Sequence, residues 1–144
     1  MKIKALLISL VFCIAGCAGP SVLVQPMTVS AQPGDIVCVV DSNDADMETQ
    51  GIINTTLLEM GFNPRPISGV AAVESNGCKI YIIYGTSYTT DIVQFLSAIR
   101  LTAYDEKHDR IGYSQGSVPN NASLGKFTAG KKVTSDLVKQ LFAL

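Results

Sequence analysis

Five consecutive apolar residues, Ile36-Val37-Cys38-Val39-Val40, stand between Gly34 and the polar run Asp41-Ser42-Asn43. A continuous, mostly β-branched run suits a strand covered on both faces. The next residues supply one cover. Asn43, Asp44 and Asp46 are helix-capping types, Glu48 falls in a first turn, and Met47, Ile53, Leu57 and Met60 recur at helical spacing. Gly51 weakens that helix by about 1 kcal/mol relative to alanine, so the helix relies on packing. Gly61 suits the position after the helix, and Pro66 confines residues 65–67 to a short edge strand, because proline has no N–H for a ladder.

The remainder reads as a meander and a closing helix. Residues 79–88 and 93–104 have strand patterns, the second with Phe95, Ile99, Leu101 and Ala103 on one side. The polar stretch Asp105-Glu106-Lys107-His108-Asp109 is a hairpin turn, and residues 110–116 pair back as a further strand. Val133, Leu137, Val138 and Leu141 form the apolar stripe of a last helix, with Ser123 or Thr128 as capping candidates. The expected order is strand, helix, four strands, helix. This is a single α+β domain with a mixed sheet and both helices on one face.

The first residues are of another kind. Lys2 and Lys4 precede the apolar run 5–14, and Ala15, Gly16 and Cys17 end it. A basic start, a short apolar core and small residues read as a secretory signal, and the run is well short of the roughly 20 residues of a membrane-spanning helix. Ile14-Ala15-Gly16-Cys17 resembles the bacterial lipobox. That resemblance implies cleavage between Gly16 and Cys17 and lipidation of Cys17. Two or more acyl chains anchor a protein firmly, whereas one binds only marginally. Residue 18 is Ala, with no aspartate after the cysteine, which by the same resemblance implies an outer-membrane destination facing the periplasm. Residues 1–16 are then the leader, 17–34 a lipidated tether with a short extended piece at 22–24, and 35–144 the folded domain.

Cys13 leaves with the leader, so Cys38 and Cys78 remain. In an oxidising compartment an even pair reads as a disulfide; a redox-active pair and metal ligands are the alternatives. The CxxC spacing of redox pairs is absent, and a metal would want further His or Cys ligands. Without Lys2 and Lys4, Lys+Arg falls from 11 to 9 against 12 acidic residues, a net charge of −3. That balance points away from nucleic acid.

Little else marks chemistry. His108 is the single histidine and sits in the polar turn, where an exposed turn residue is expected. Asp41, Asp44 and Asp46 do not fit a calcium loop, which would need Gly and Glu where Asp46 and Ile52 stand. Lys126, Lys131 and Lys132 read as a solvated helix face. Residues 85–91 read as a strand connection, or, with Tyr84 and Tyr88, as the lining of a ligand cleft. No catalytic constellation, cofactor or metal is expected.

The ordered set Val37-Cys38-Val39-Val40, Met60-Gly61-Phe62, the segment 77–84, the segment 95–104, Ile111-Gly112-Tyr113 and a closing amphipathic helix resembles a family of small proteobacterial outer-membrane lipoproteins. The resemblance covers roughly residues 34–144 and implies a compact disulfide-bearing periplasmic domain. The expected role is a non-enzymatic accessory module with two partners, the membrane through Cys17 and an envelope protein. The expected contact is a sheet edge at Arg65 and Ile67 or the groove beside the first helix. The alternative is a small-ligand or glycan binder using Tyr84 and Tyr88.

Overall fold

The computed structural model describes residues 21–41, 46–90, 94–119 and 125–143. The leader, Gly16, Cys17, Asn43, Asp44 and Ser123 lie outside the described residues. Among the described residues the strands are β1 (Val22–Gln25), β2 (Ile36–Val40), β3 (Asn63–Ile67), β4 (Ile80–Thr90), β5 (Gln94–Asp105) and β6 (Arg110–Ser117). The helices are α1 (Met47–Glu59) and α2 (Lys126–Phe142). The strands form one mixed sheet in the order β1-β6-β5-β4-β2-β3. From Ile36 onward the element order is the one expected from the sequence, and the α+β class holds.

Asp46 caps α1, its carboxylate accepting from the Thr49 backbone N–H at 3.1 Å. After the helix the chain reverses at Gly61, whose φ of +86° is a conformation other residues rarely adopt. β2, β3 and β4 run parallel, with β2 in the middle. The connection from β2 to β3 moves one way along the sheet, and that from β3 to β4 moves back past β2. Two right-handed crossovers in opposite directions must cover opposite faces. Accordingly Ile53 and Leu57 of α1 pack on Val37, Val39, Ile80 and Ile82, while Val73, in the chain between β3 and β4, packs on Cys38, Val40, Ile67 and Tyr81. This double cover is what the apolar β2 run demands.

α2 lies beside α1 on the same face, so Leu137, Val138 and Leu141 join the α1 core. It lies close to β6 because the residues beneath it are small. Gly112, Ser114 and Gly116 alternate on that face, and the Ser114 hydroxyl donates to the Leu137 carbonyl at 3.3 Å. A Cβ on Gly112 would stand 2.8 Å from Met27 Cγ and 2.9 Å from Leu141 Cδ1.

Several expectations need correction. Residues 22–25, assigned to the tether, pair antiparallel with β6 as a sheet strand. The chain after them is held too: the Met27 N–H donates to the Leu141 carbonyl at 2.8 Å and the Thr28 N–H to Ile111 at 2.9 Å. The short extended piece read at residues 22–24 is thus a strand, and its place in the sheet is set by a partner far along the chain. Met47 is 79% exposed rather than part of the α1 stripe, and the buried Thr49 and Thr56 occupy that face. Residues 85–90 are not a connection but the end of β4. A bulge at the Ser87/Tyr88 register resets the alternation, so Leu96 as well as Ile99 faces the helices. Gly125 precedes α2 with no side-chain cap, so Thr128 does not serve as one.

Candidate functional site

Cys38 and Cys78 form a disulfide, with Cα atoms 5.7 Å apart. The bridge fastens β2 to the entry of β4 beneath the segment that crosses the open face. Both cysteines are buried.

The two candidate edge residues part company. Arg65 is exposed and its guanidinium donates to the Asn76 carbonyl at 2.9 Å, which holds the crossing segment. Ile67 is buried in the second core. β3 is an edge strand, as expected, but a blunted one. The Asn63 N–H donates to Asp35 and the Ile67 carbonyl accepts from Asp41, so odd-numbered residues face β2. Pro64 and Pro66 therefore occupy the outward positions, where they offer no donor. Among the described residues no strand pairs with the opposite edge, β1. Ser117 N–H donates to the Ser21 carbonyl, which sets Leu23 and Gln25 toward β6 and leaves the backbone of Val22 and Val24 facing outward. Val22 and Leu23 are 49% and 60% exposed there.

The two tyrosines also differ. Tyr84 is buried in the main core. Tyr88 is 41% exposed, and its hydroxyl donates to the Asp46 carboxylate. Burial and that hydrogen bond push the Tyr88 hydroxyl up to about 12. Burial would raise Asp46, but the bonds from Thr49 and Tyr88 outweigh it and hold the carboxyl below its ordinary value. Tyr88 lines a cavity of about 70 Å³ with Asp46, Leu96, Phe127 and Lys131. Ligand clefts usually span about 300–1,000 Å³, several times the volume of this cavity.

A larger cleft lies elsewhere, and the sequence did not signal it. It encloses about 580 Å³ between the crossing segment and the β5–β6 turn, lined by Val73, Glu74, Cys78, Lys79, Glu106 and His108. Lys79 pairs with Asp35 at 2.8 Å, and this bond holds Asp35 below its ordinary value. His108 is exposed, as expected of a turn residue, yet its Nδ1 lies 2.9 Å from the Tyr81 hydroxyl. Tyr81 also stacks on Tyr104, with centroids 5.1 Å apart. Burial raises the Tyr81 hydroxyl above its ordinary value. The signal was unreadable because Glu74 and Glu106 are 32 positions apart in the sequence and meet only through the topology. Among the described residues no group of three His, Cys, Asp or Glu is placed to hold a metal ion. No helix among them is long and apolar enough to cross a membrane.

No protein-family model matches the chain, and no curated protein sequence does. Solved structures share the fold. A dodecamer of a point variant of PelC from Paraburkholderia phytofirmans is similar over 88% of this chain and 100% of that one, with TM-score 0.71 and 15% identity. A second PelC dodecamer from the same organism is similar over 87% of this chain and 96% of that one, with TM-score 0.61 and 16% identity. TolB from Acinetobacter baumannii gives TM-score 0.48 at 14% identity over 88% of this chain and 32% of that one.

Proposed function

We propose that this chain is a lipid-anchored, non-enzymatic accessory module of the outer membrane that faces the periplasm and acts by binding protein. The lipobox-like Ile14-Ala15-Gly16-Cys17 supplies the anchor and supports membership of the small lipoprotein family described above. The observation that carries the binding role is the asymmetry of the sheet edges. β3 is blunted by Pro64 and Pro66, whereas β1 offers outward backbone groups at Val22 and Val24 beside exposed apolar side chains. An open edge of this kind accepts an added strand, with backbone bonds giving affinity and flanking pockets giving specificity. The first partner to test is a second copy of the chain, because the PelC structures that share the fold are dodecamers.

The test is crosslinking of the mature lipoprotein in whole envelopes, with Cys17→Ala as control, followed by native mass measurement. A defined self-assembly or one dominant partner, lost in the control, supports the reading. A monomer with no partner above background overturns it.

A second reading has its own observation, the cleft of about 580 Å³ beside the disulfide. Its volume is that of a small-molecule site, and Glu74, Lys79, Glu106 and His108 give it polar groups of both signs. Ligand-induced shifts of the His108 ring signals by NMR would favour this reading. Unchanged signals across a library of small amphoteric ligands would dismiss it.

A further inference from the structure

The strand register places the start of β1 at the same end of the sheet as three exposed large side chains. Val22 is level with Gly116, Ile99 and Thr86 across β1, β6, β5 and β4. β1 runs downward from that level, so the chain that precedes it leaves from the upper end of the sheet. β4 continues upward for four residues past Thr86, to Thr90. At about 3.3 Å per residue β4 projects about 13 Å beyond the level of Val22 at this end of the sheet. Both helices also begin at this end. The Asp46–Tyr88 bond brings the start of α1 to the hairpin, and Gly130 of α2 lies against Leu96. Met47, Tyr88 and Phe127, 79%, 41% and 56% exposed, therefore share one end of the domain.

Cys17 stands five positions before Val22. A fully extended chain covers at most about 17 Å over that interval. The reach of the anchor thus exceeds the projection of the hairpin by only a few ångströms. A lipid on Cys17 holds this end against the bilayer rather than suspending the domain in the periplasm.

We infer that the end bearing Met47, Tyr88 and Phe127 is a membrane-contacting surface that rests on the lipid headgroups. The inference depends on lipidation of Cys17 as proposed above. The side chains suit the place: a partly exposed tyrosine ring, a phenylalanine that lines the same cavity, and an exposed methionine next to Asp46 in the chain. Charge is not the attraction, because Asp46 and Glu48 accompany Lys131 around the same cavity. The contact is therefore insensitive to salt and does not need anionic lipid.

The chain contains no tryptophan, so a single introduced one reports alone. Full-length lipidated Phe127→Trp and, as a control at the opposite end in the β5–β6 turn, Glu106→Trp are reconstituted into phosphatidylcholine vesicles with brominated acyl chains. Both substitutions replace exposed side chains, so neither disturbs the core. The expected result is at least a twofold loss of Phe127→Trp emission with a blue shift, unchanged by high salt, and no loss for Glu106→Trp. Equal emission from the two variants on protein that floats with vesicles overturns the inference and leaves the anchor standing. A Phe127→Trp signal shielded from acrylamide but not quenched by bromine also overturns it, by assigning the end to a protein contact. Protein that fails to float overturns the anchor itself.

Discussion

The Tyr88 hydroxyl donates to the Asp46 carboxylate that caps α1, so the far end of the β4–β5 hairpin is fastened to the start of a helix 42 residues earlier in the chain. Three donors meet at that one carboxylate: the Thr49 amide at the helix N-terminus, the Thr49 hydroxyl and the hairpin tyrosine.

This cluster gives the domain a pH signature at both extremes. Tyr88 is raised from about 10 to about 12 in the fold, so its contribution is complete below pH 10 and is lost as pH rises through 12. Asp46 is lowered below 3.8, so its contribution is complete above that value and is lost as pH falls through its folded value. Tyr88→Phe should remove one late step from the tyrosine absorbance titration. Asp46→Ala should lower stability at neutral pH by about 1 kcal/mol, about 3–5 °C in Tm, through loss of the cap. A calorimetric Tm unchanged in Asp46→Ala would contradict the capping role.

Removal of the disulfide should be the largest single destabilisation. Cys38 and Cys78 are 40 residues apart, for which the chain-entropy model gives about 4 kcal/mol, with engineered cases usually lower. Urea unfolding of a Cys38→Ala, Cys78→Ala double variant should show a loss of about 2–4 kcal/mol. An intact protein whose transition does not move with reductant would show that the bridge is not formed in solution.

Gly112→Ala tests the close approach of α2 to β6. The added Cβ would meet both the Met27 side chain and backbone and the end of Leu141, so it should destabilise by about 1–3 kcal/mol. Gly85→Ala is the matched control, because its Cβ would meet only the Arg100 side chain, at 3.5 Å. Denaturant midpoints of the two variants should differ in that order.

Val22→Pro tests the open edge. The Val22 N–H faces away from β6 and stands at the first position of the strand, where proline is tolerated. The variant should keep its thermal midpoint within about 2 °C, an effect of roughly 0.5 kcal/mol. It should lose most of its crosslinked partner in envelopes. Undiminished crosslinking would direct attention away from β1.

Strong local signals were legible, and pairwise ones were not. Ile36–Val40 reads as a doubly covered strand from its own residues, and Asp46, Gly61 and the prolines after it mark the helix ends directly. β1 is four residues long and is defined by β6, which lies more than 80 positions away. The facing of Tyr84 was ambiguous for a different reason. Residues 80–84 are apolar on both faces of the strand, and only the core beneath α1 distinguishes Tyr84 from Tyr81. The role of Gly112, Ser114 and Gly116 needed the helix above them, and the large cleft needed the crossing segment laid over the turn.

Pro64 and Pro66 have a further consequence. A sheet with two receptive margins can be extended indefinitely by copies of itself, which is how soluble domains become fibres. Here the β3 margin lacks outward donors, so edge-to-edge joining exhausts itself after one event. Two molecules meeting through β1 would form a closed pair whose remaining margins are both sterile. Even when crowded together, molecules with this pair of margins associate without polymerising.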